Sequence, residues 1–203
     1  MAVVTSYATL QTAVADYLAR DDLTTFVPNF IQNCEDKLYR SLNLRNEETA
    51  LSVSVSSGAG AVPSDFKALK FAYKDASPVY PLEWVTIDEL YKQYPVRSGS
   101  NTQPRVISRE GANFVFGPYP ADFTLKGIYY AKKDPLRTTD GSWYVVNAPE
   151  VLLYGSLLEA EAFIMNDPRL SIWKQLYDDA IRTLVLEESN SEAQKQGLRI
   201  RPS

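Results

Sequence analysis

Thr49-Ala50-Leu51-Ser52-Val53-Ser54-Val55-Ser56 puts Leu51, Val53 and Val55 on one side of an extended chain and Ser52, Ser54 and Ser56 on the other. A period of two reads as a β-strand with one buried and one wet face. Upstream of it the apolar residues recur at helical spacing. Tyr7, Leu10, Ala13, Val14, Tyr17 and Leu18 form one stripe, with Thr5 or Ser6 placed to cap the first turn. Arg20-Asp21-Asp22 reads as a turn. Val27, Phe30, Ile31, Cys34, Leu38 and Leu42 form a second stripe, with Pro28 in the first turn, where a missing N–H costs nothing. The two stripes predict an antiparallel helix pair.

Downstream the strand period continues in short pieces. Ser57-Gly58-Ala59-Gly60 reads as a turn, and strands are expected at Lys67–Tyr73, Val79–Trp84, Arg105–Ser108, Phe114–Gly117 and Phe123–Ala131. Glu110 to Asn113 closes a hairpin in this reading. Thr86 followed by Glu89 is a capping-box spacing and predicts a short helix, and 96–104 is polar and turn-rich. Helical spacing then returns. Pro149 is a good first helical residue, followed by the apolar face Val151, Leu152, Tyr154, Leu157, Leu158, Ala162 and Met165. Asn166-Asp167-Pro168 breaks that face. A last helix carries Leu170, Trp173, Leu176, Tyr177, Ala180, Ile181, Leu184 and Val185.

Helices, strands, helices: this order predicts an α+β fold. A discontinuous helical bundle from the N- and C-terminal helices (1–44 and 145–188) carries an inserted antiparallel β-domain (45–144), with a tail at 189–203.

Composition narrows the chemistry. The 203 residues include no histidine and one cysteine, Cys34, which excludes Ser-His-Asp and Cys-His catalysis, the usual zinc sites, an imidazole switch and an internal disulfide. No cofactor or metal is expected. Lys and Arg number 21 against 25 Asp and Glu, a net charge of −4 with no basic arm, so tight sequence-independent DNA binding is not expected. The N-terminus lacks the charged start of a signal peptide, and no apolar run reaches the ~18–20 residues of a membrane span, so a soluble, cytoplasmically made chain is expected. Ser57-Gly58-Ala59-Gly60 lacks the lysine of a phosphate loop.

Carboxylates are the remaining candidates for catalysis: Glu159 with Glu161, Asp178-Asp179 and Glu187-Glu188. A glycan hydrolase would need two of them converging across a cleft; solvated helix faces are the simpler reading. Phe114, Phe116, Phe123, Tyr129 and Tyr130 near Lys126, Lys132 and Lys133 could form a stacking platform for single-stranded nucleic acid, or simply pack a core or interface. Cys34 sits on an apolar stripe and reads as a small buried hydrophobe. The segment Leu198-Arg199-Ile200-Arg201-Pro202 alternates apolar and cationic residues. It reads either as a frayed end or as a segment that becomes ordered on a partner.

Several stretches, in order and spacing, resemble the head-to-tail adaptor proteins of tailed bacteriophages, the tail-tubular-A-like or podovirus adaptor family. They are Ser6-Tyr7-Ala8-Thr9-Leu10-Gln11, Tyr17 to Leu23, Pro28-Asn29-Phe30-Ile31, Leu42 to Arg45, Val62-Pro63-Ser64-Asp65-Phe66, Pro81-Leu82-Glu83, Ile87 to Leu90, Tyr129 to Lys132, Pro149 to Ala160, and Asp167-Pro168-Arg169 through Trp173 to Tyr177-Asp178-Asp179-Ala180. The resemblance implies a structural virion protein: a dodecameric ring under the portal protein, monomeric before assembly if the portal templates the ring. That ring would extend the DNA channel, let genomic DNA pass without specific binding, and seat the tail nozzle or tube. It further implies that Leu198, Arg199, Ile200 and Arg201 bind the portal, and that the protein is made in the host cytoplasm, resides at the head–tail interface and contacts no membrane. A carboxylate-dependent cell-wall glycan hydrolase is the alternative function.

Overall fold

The computed structural model describes residues 4–99, 102–139, 142–164 and 167–193, with side chains described through 190. Two compact units divide it, Met1–Asn43 with Asp134–Ser203, and Leu44–Lys133.

Helix α1 (Tyr7–Leu18) starts at Ser6, whose Oγ accepts from the Thr9 N–H at 3.2 Å while the Thr9 Oγ1 accepts from the Ser6 N–H at 2.8 Å. That reciprocal cap satisfies two backbone donors that the helix leaves unpaired. Helix α2 (Val27–Ser41) follows a 3₁₀ turn at Asp21–Leu23 and buries Val27, Phe30, Ile31, Cys34 and Leu38 of the stripe its spacing predicts, while Leu42, just past its end, is half-buried. The chain returns to this unit for α4 (Trp143–Asn147), α5 (Pro149–Glu159) and α6 (Arg169–Ala193). The short helix α4 has no period long enough to signal it in the sequence.

The expected α1–α2 pair is looser than the spacing suggests. The two helices touch, but each packs more extensively on α5, which also meets α4 and α6. Because α5 is enclosed, it buries Val151, Leu152, Leu153, Gly155, Ser156 and Leu157 rather than one stripe. It is also shorter than the run to Met165 that its apolar residues predict. The N–H groups of Ala160 and Glu161 bond three residues back, to Leu157 and Leu158, which tightens and ends the last turn. Arg169 links this region to α1: its guanidinium donates to the carbonyls of Tyr17 (2.9 Å) and Leu18 (3.4 Å), grips Asp167 and lies 5.0 Å over the Trp173 ring. Helix α1 has no basic residue in its own last turn, so Arg169 supplies the cation its C-terminal end favours.

The second unit is a closed barrel of β1 (Glu48–Ser56), β2 (Ala59–Ala61), β3 (Phe66–Lys74), β4 (Tyr80–Trp84), β5 (Val106–Glu110), β6 (Asn113–Gly117) and β7 (Phe123–Ala131), in the spatial order β1-β2-β6-β5-β4-β3-β7. The turn after β1 is shorter than expected. Only Ser57 and Gly58 form it, both at positive φ, and Ala59–Ala61 joins the sheet. The expected hairpin pairs Glu110 with Asn113. One ladder, β4 with β5, is parallel, because helix α3 (Ile87–Gln93) and the loop after it carry the chain back to the end where β4 began. Thr86 caps α3, its Oγ1 accepting from the Glu89 N–H at 3.3 Å. Leu51, Val55, Leu82, Ile107, Phe114, Phe116, Leu125 and Tyr129 fill the barrel, and Leu90 of α3 packs with Val106 and Val115 outside that core. Among the described residues no helix is long and apolar enough to cross a membrane.

Candidate functional site

The barrel turns the candidate stacking platform inside out. Phe114 and Phe116 have no solvent exposure, Tyr129 is buried, and the half-buried Phe123 ring lies edge-on to Phe116 at 5.1 Å. Strand alternation explains this: Phe123, Leu125, Tyr129 and Ala131 share the inner face of β7, and of the five aromatics only Tyr130 points outward. Nearby cations are engaged as well. Lys126 pairs with Asp75 at 2.7 Å, and Lys133 donates to the Thr49 Oγ1 at 3.3 Å. Phe114, Phe116, Phe123 and Tyr129 therefore pack the core, the alternative reading of this cluster.

The candidate carboxylates do not converge either. Glu159 is held by Lys37 across α5 and α2, and Asp179 pairs with Arg182 on its own helix at 3.3 Å. Glu161, Asp178 and Glu187 are exposed. Asp88 and Glu89 line a shallow depression with Thr86, Lys92 and Gln93, but as consecutive residues of α3 they point apart. A groove of about 350 Å³ lined by Tyr80, Pro81, Tyr94, Gln103, Arg105 and Pro118 contains no carboxylate. Asp22 and Asp167 are both held below the usual carboxylate range, chiefly by hydrogen bonds from Arg20 and Arg169. A general acid needs the opposite shift. Among the described residues no group of three or more Cys, Asp or Glu could hold a metal ion.

Two buried carboxylates escaped the sequence reading, and both are structural. Glu47, fully buried, pairs with Lys67 at 2.7 Å. Glu35 is 3% exposed, and both its oxygens accept from the Leu136 N–H at 3.0 Å, holding the returning chain on α2. Its position beside Cys34 and one turn before Leu38 was the available signal, since a charge inside an apolar stripe needs a partner. Glu35→Ala is expected to leave that buried N–H unsatisfied and cost about 1–3 kcal/mol in urea unfolding. Glu35→Gln, which keeps one acceptor oxygen, should cost less. Cys34 is buried as its stripe position predicts, and burial pushes its thiol up to about 12.

Unpartnered apolar surface is the remaining candidate among the described residues. Helix α6 has 25 residues, ~37 Å, against 11 in α5, ~16 Å. Its expected stripe therefore exceeds the surface available to cover it. Trp173 and Leu184 are buried, but Leu176 and Val185 are not, and Ile172, Leu176 and Leu186 are exposed on one face, with the exposed Asp179 and Thr183 between them. On the barrel, Ile128 of β7 lies between Phe71 of β3 and Ala50 of β1 on the outer face, all exposed, with the Tyr73 ring 5.6 Å from that of Phe71. Exposed apolar patches of this kind fit contacts with other proteins. The expected portal-binding residues Leu198, Arg199, Ile200 and Arg201 lie outside the described residues, beyond the end of α6.

Comparison with known families gives one match, over residues 5–201, to the model described as SU10 adaptor protein. No curated protein matches the chain.

Proposed function

The chain belongs to the SU10 adaptor protein family, phage adaptors that are structural rather than catalytic, and from that premise we propose that it forms a ring beneath the portal of a tailed phage. In this reading the ring is dodecameric, extends the DNA channel and seats the tail nozzle or tube at the head–tail interface of the virion. The observation that supports it best is α6: a helix longer than its partners, with Ile172, Leu176, Val185 and Leu186 exposed, leading in sequence toward the segment Leu198-Arg199-Ile200-Arg201. A helix and an alternating tail of this kind suit insertion into grooves of a partner protein, here the portal. The lack of a basic excess suits a conduit that must release its cargo, since clustered Lys and Arg would hold the phosphate backbone.

Deleting Leu198–Ser203 is expected to leave the urea midpoint unchanged and to abolish docking on purified portal rings, seen by electron microscopy as loss of a second ring. Docking at full occupancy by the truncated protein would remove the tail from the interface. Bare portals with the full chain at high concentration would remove the portal as partner.

A further inference from the structure

Each unit carries an apolar surface that no described residue covers. On α6, Ile172, Leu176 and Leu186 are 58%, 39% and 54% exposed on one face, with Asp179 and Thr183 between them. On the barrel, the register sets Ala50, Ile128 and Phe71 side by side across the outer face of β1, β7 and β3, with Ser52, Lys126 and Tyr73 in the next row. Two lysines on this face are paired beside it, Lys70 with Glu48 at 2.6 Å and Lys126 with Asp75 at 2.7 Å. An apolar centre inside a polar rim is the make-up of a protein interface.

The two units differ in charge. The barrel unit, 44–133, holds 11 Lys and Arg against 9 Asp and Glu, a net +2, and the helical unit holds 10 against 16, a net −6. Helix α6 shares the helical unit's sign: from Leu170 to Asn190, four carboxylates outnumber two cations. Helical unit on helical unit sets −6 against −6, and barrel on barrel sets +2 against +2. Only unlike units attract. Phosphate backbones and anionic lipids carry the sign that α6 repels. A foreign protein on one surface leaves the other bare, whereas a copy of this chain brings the surface that each one lacks. The dimensions agree as well: Ile172 to Leu186 runs ~21 Å along the helix, and Glu48 to Val55 ~24 Å along the β1–β7 ladder.

We propose that the exposed face of α6 in one copy packs on the β1–β7–β3 outer face of the next copy. A contact between two different faces passes from copy to copy and closes as a ring where the rotation allows. The inference rests on the ring reading and specifies which surfaces its neighbours bring together.

Cross-linking in phage particles tests this. Cys34 is the only native cysteine and is buried, so a bismaleimide reaches introduced thiols alone. A chain with both Phe71→Cys and Leu176→Cys is expected to run as a ladder of covalent multimers. Either substitution alone should give monomer, and the two single variants assembled together should stop at dimer. Dimers from one single variant would show that like faces meet. A double variant linked internally, and so monomeric, would make the same chain the occupant of its own surface. Unlinked monomer throughout, with the chain present in particles, would leave both surfaces to a different protein or to solvent. Each of these three results overturns the inference and leaves the adaptor reading standing. Particles that lack the unaltered chain overturn both. Ile128→Cys with Ile172→Cys lies on the same two faces, and its ladder or lack of one decides if the first pair fails to enter particles.

Discussion

Gly127→Val is expected to unfold the barrel, and Gly127→Ala to cost about 3 kcal/mol or more. Gly127 sits on the inner face of β7, opposite Leu51 of β1 and Ala72 of β3. A Cβ placed there would overlap the carbonyl oxygen of Phe71 and lie 2.9 Å from the Ala72 Cα and 3.0 Å from the Phe71 carbonyl carbon. All three are backbone atoms next to the Leu69/Phe71 register shift, so no side chain can rotate aside. Relief requires moving β3 off β7, along a ladder running from Phe66 to Lys74. Overpacking a rigid site costs about 1–3 kcal/mol and at times more, a large share of the ~5–15 kcal/mol that holds a typical domain. The sign is itself diagnostic. At an ordinary strand position alanine is the better residue by about 0.5–1 kcal/mol. Equilibrium urea unfolding measures the difference, and a neutral or stabilising Gly127→Ala would mean that β3 and β7 do not approach so closely.

Gly155→Val is expected to open the contact of α5 with α2 and α6 and to expose Cys34. In an exposed helix, replacing glycine with alanine gains about 1 kcal/mol. Here a Cβ would run into the Cys34 Sγ of α2 and lie 2.9 Å from the Tyr177 Cε2 of α6. Three helices meet at this one residue, and valine adds two methyl groups where none fits. The readout is the chain's only cysteine. Burial holds its thiol up at about 12, so the native protein carries little thiolate at pH 8 and resists alkylation. In Gly155→Val the thiol should approach its ordinary value near 8.5 and label rapidly under native conditions. Tyr177, also pushed up to about 12 mainly by burial, should titrate earlier. A Cys34 that stays unreactive in the variant would show that the bundle absorbs the added volume.

Residues close in the chain explain what could be read in advance. Ser6 with Thr9, Thr86 with Glu89, and Gly111 at the Glu110–Asn113 turn act within four residues, and the helix and strand periods need only a local count. The α+β class and the order of helices, strands and helices followed from these. The adaptor likeness rested on the same local stretches in sequence, and the family match bears it out. The functional surface was less legible. Nothing in the α6 stripe says how long its partner is, so Leu176 and Val185 read as core when they are exposed. Phe114 and Phe116 read as core or as a platform, and burial decides for the core, because a strand pattern does not say which face closes into a barrel.

The sequence by itself determined the main helices and strands apart from α4 and β2, the caps at Ser6 and Thr86, the Glu110–Asn113 turn, and the absence of histidine-based and internal disulfide chemistry. Those depend on residue types and on separations of a few positions. Only the tertiary structure decided that α5 occupies the centre of the bundle, that Glu35 holds Leu136 across 101 residues, and that Gly127 and Gly155 are points of closest approach. Each of these is a distance between groups far apart in the chain. Such distances arise only once burial of the apolar faces has chosen which surfaces meet, and a local pattern states that a face must be covered without stating by what.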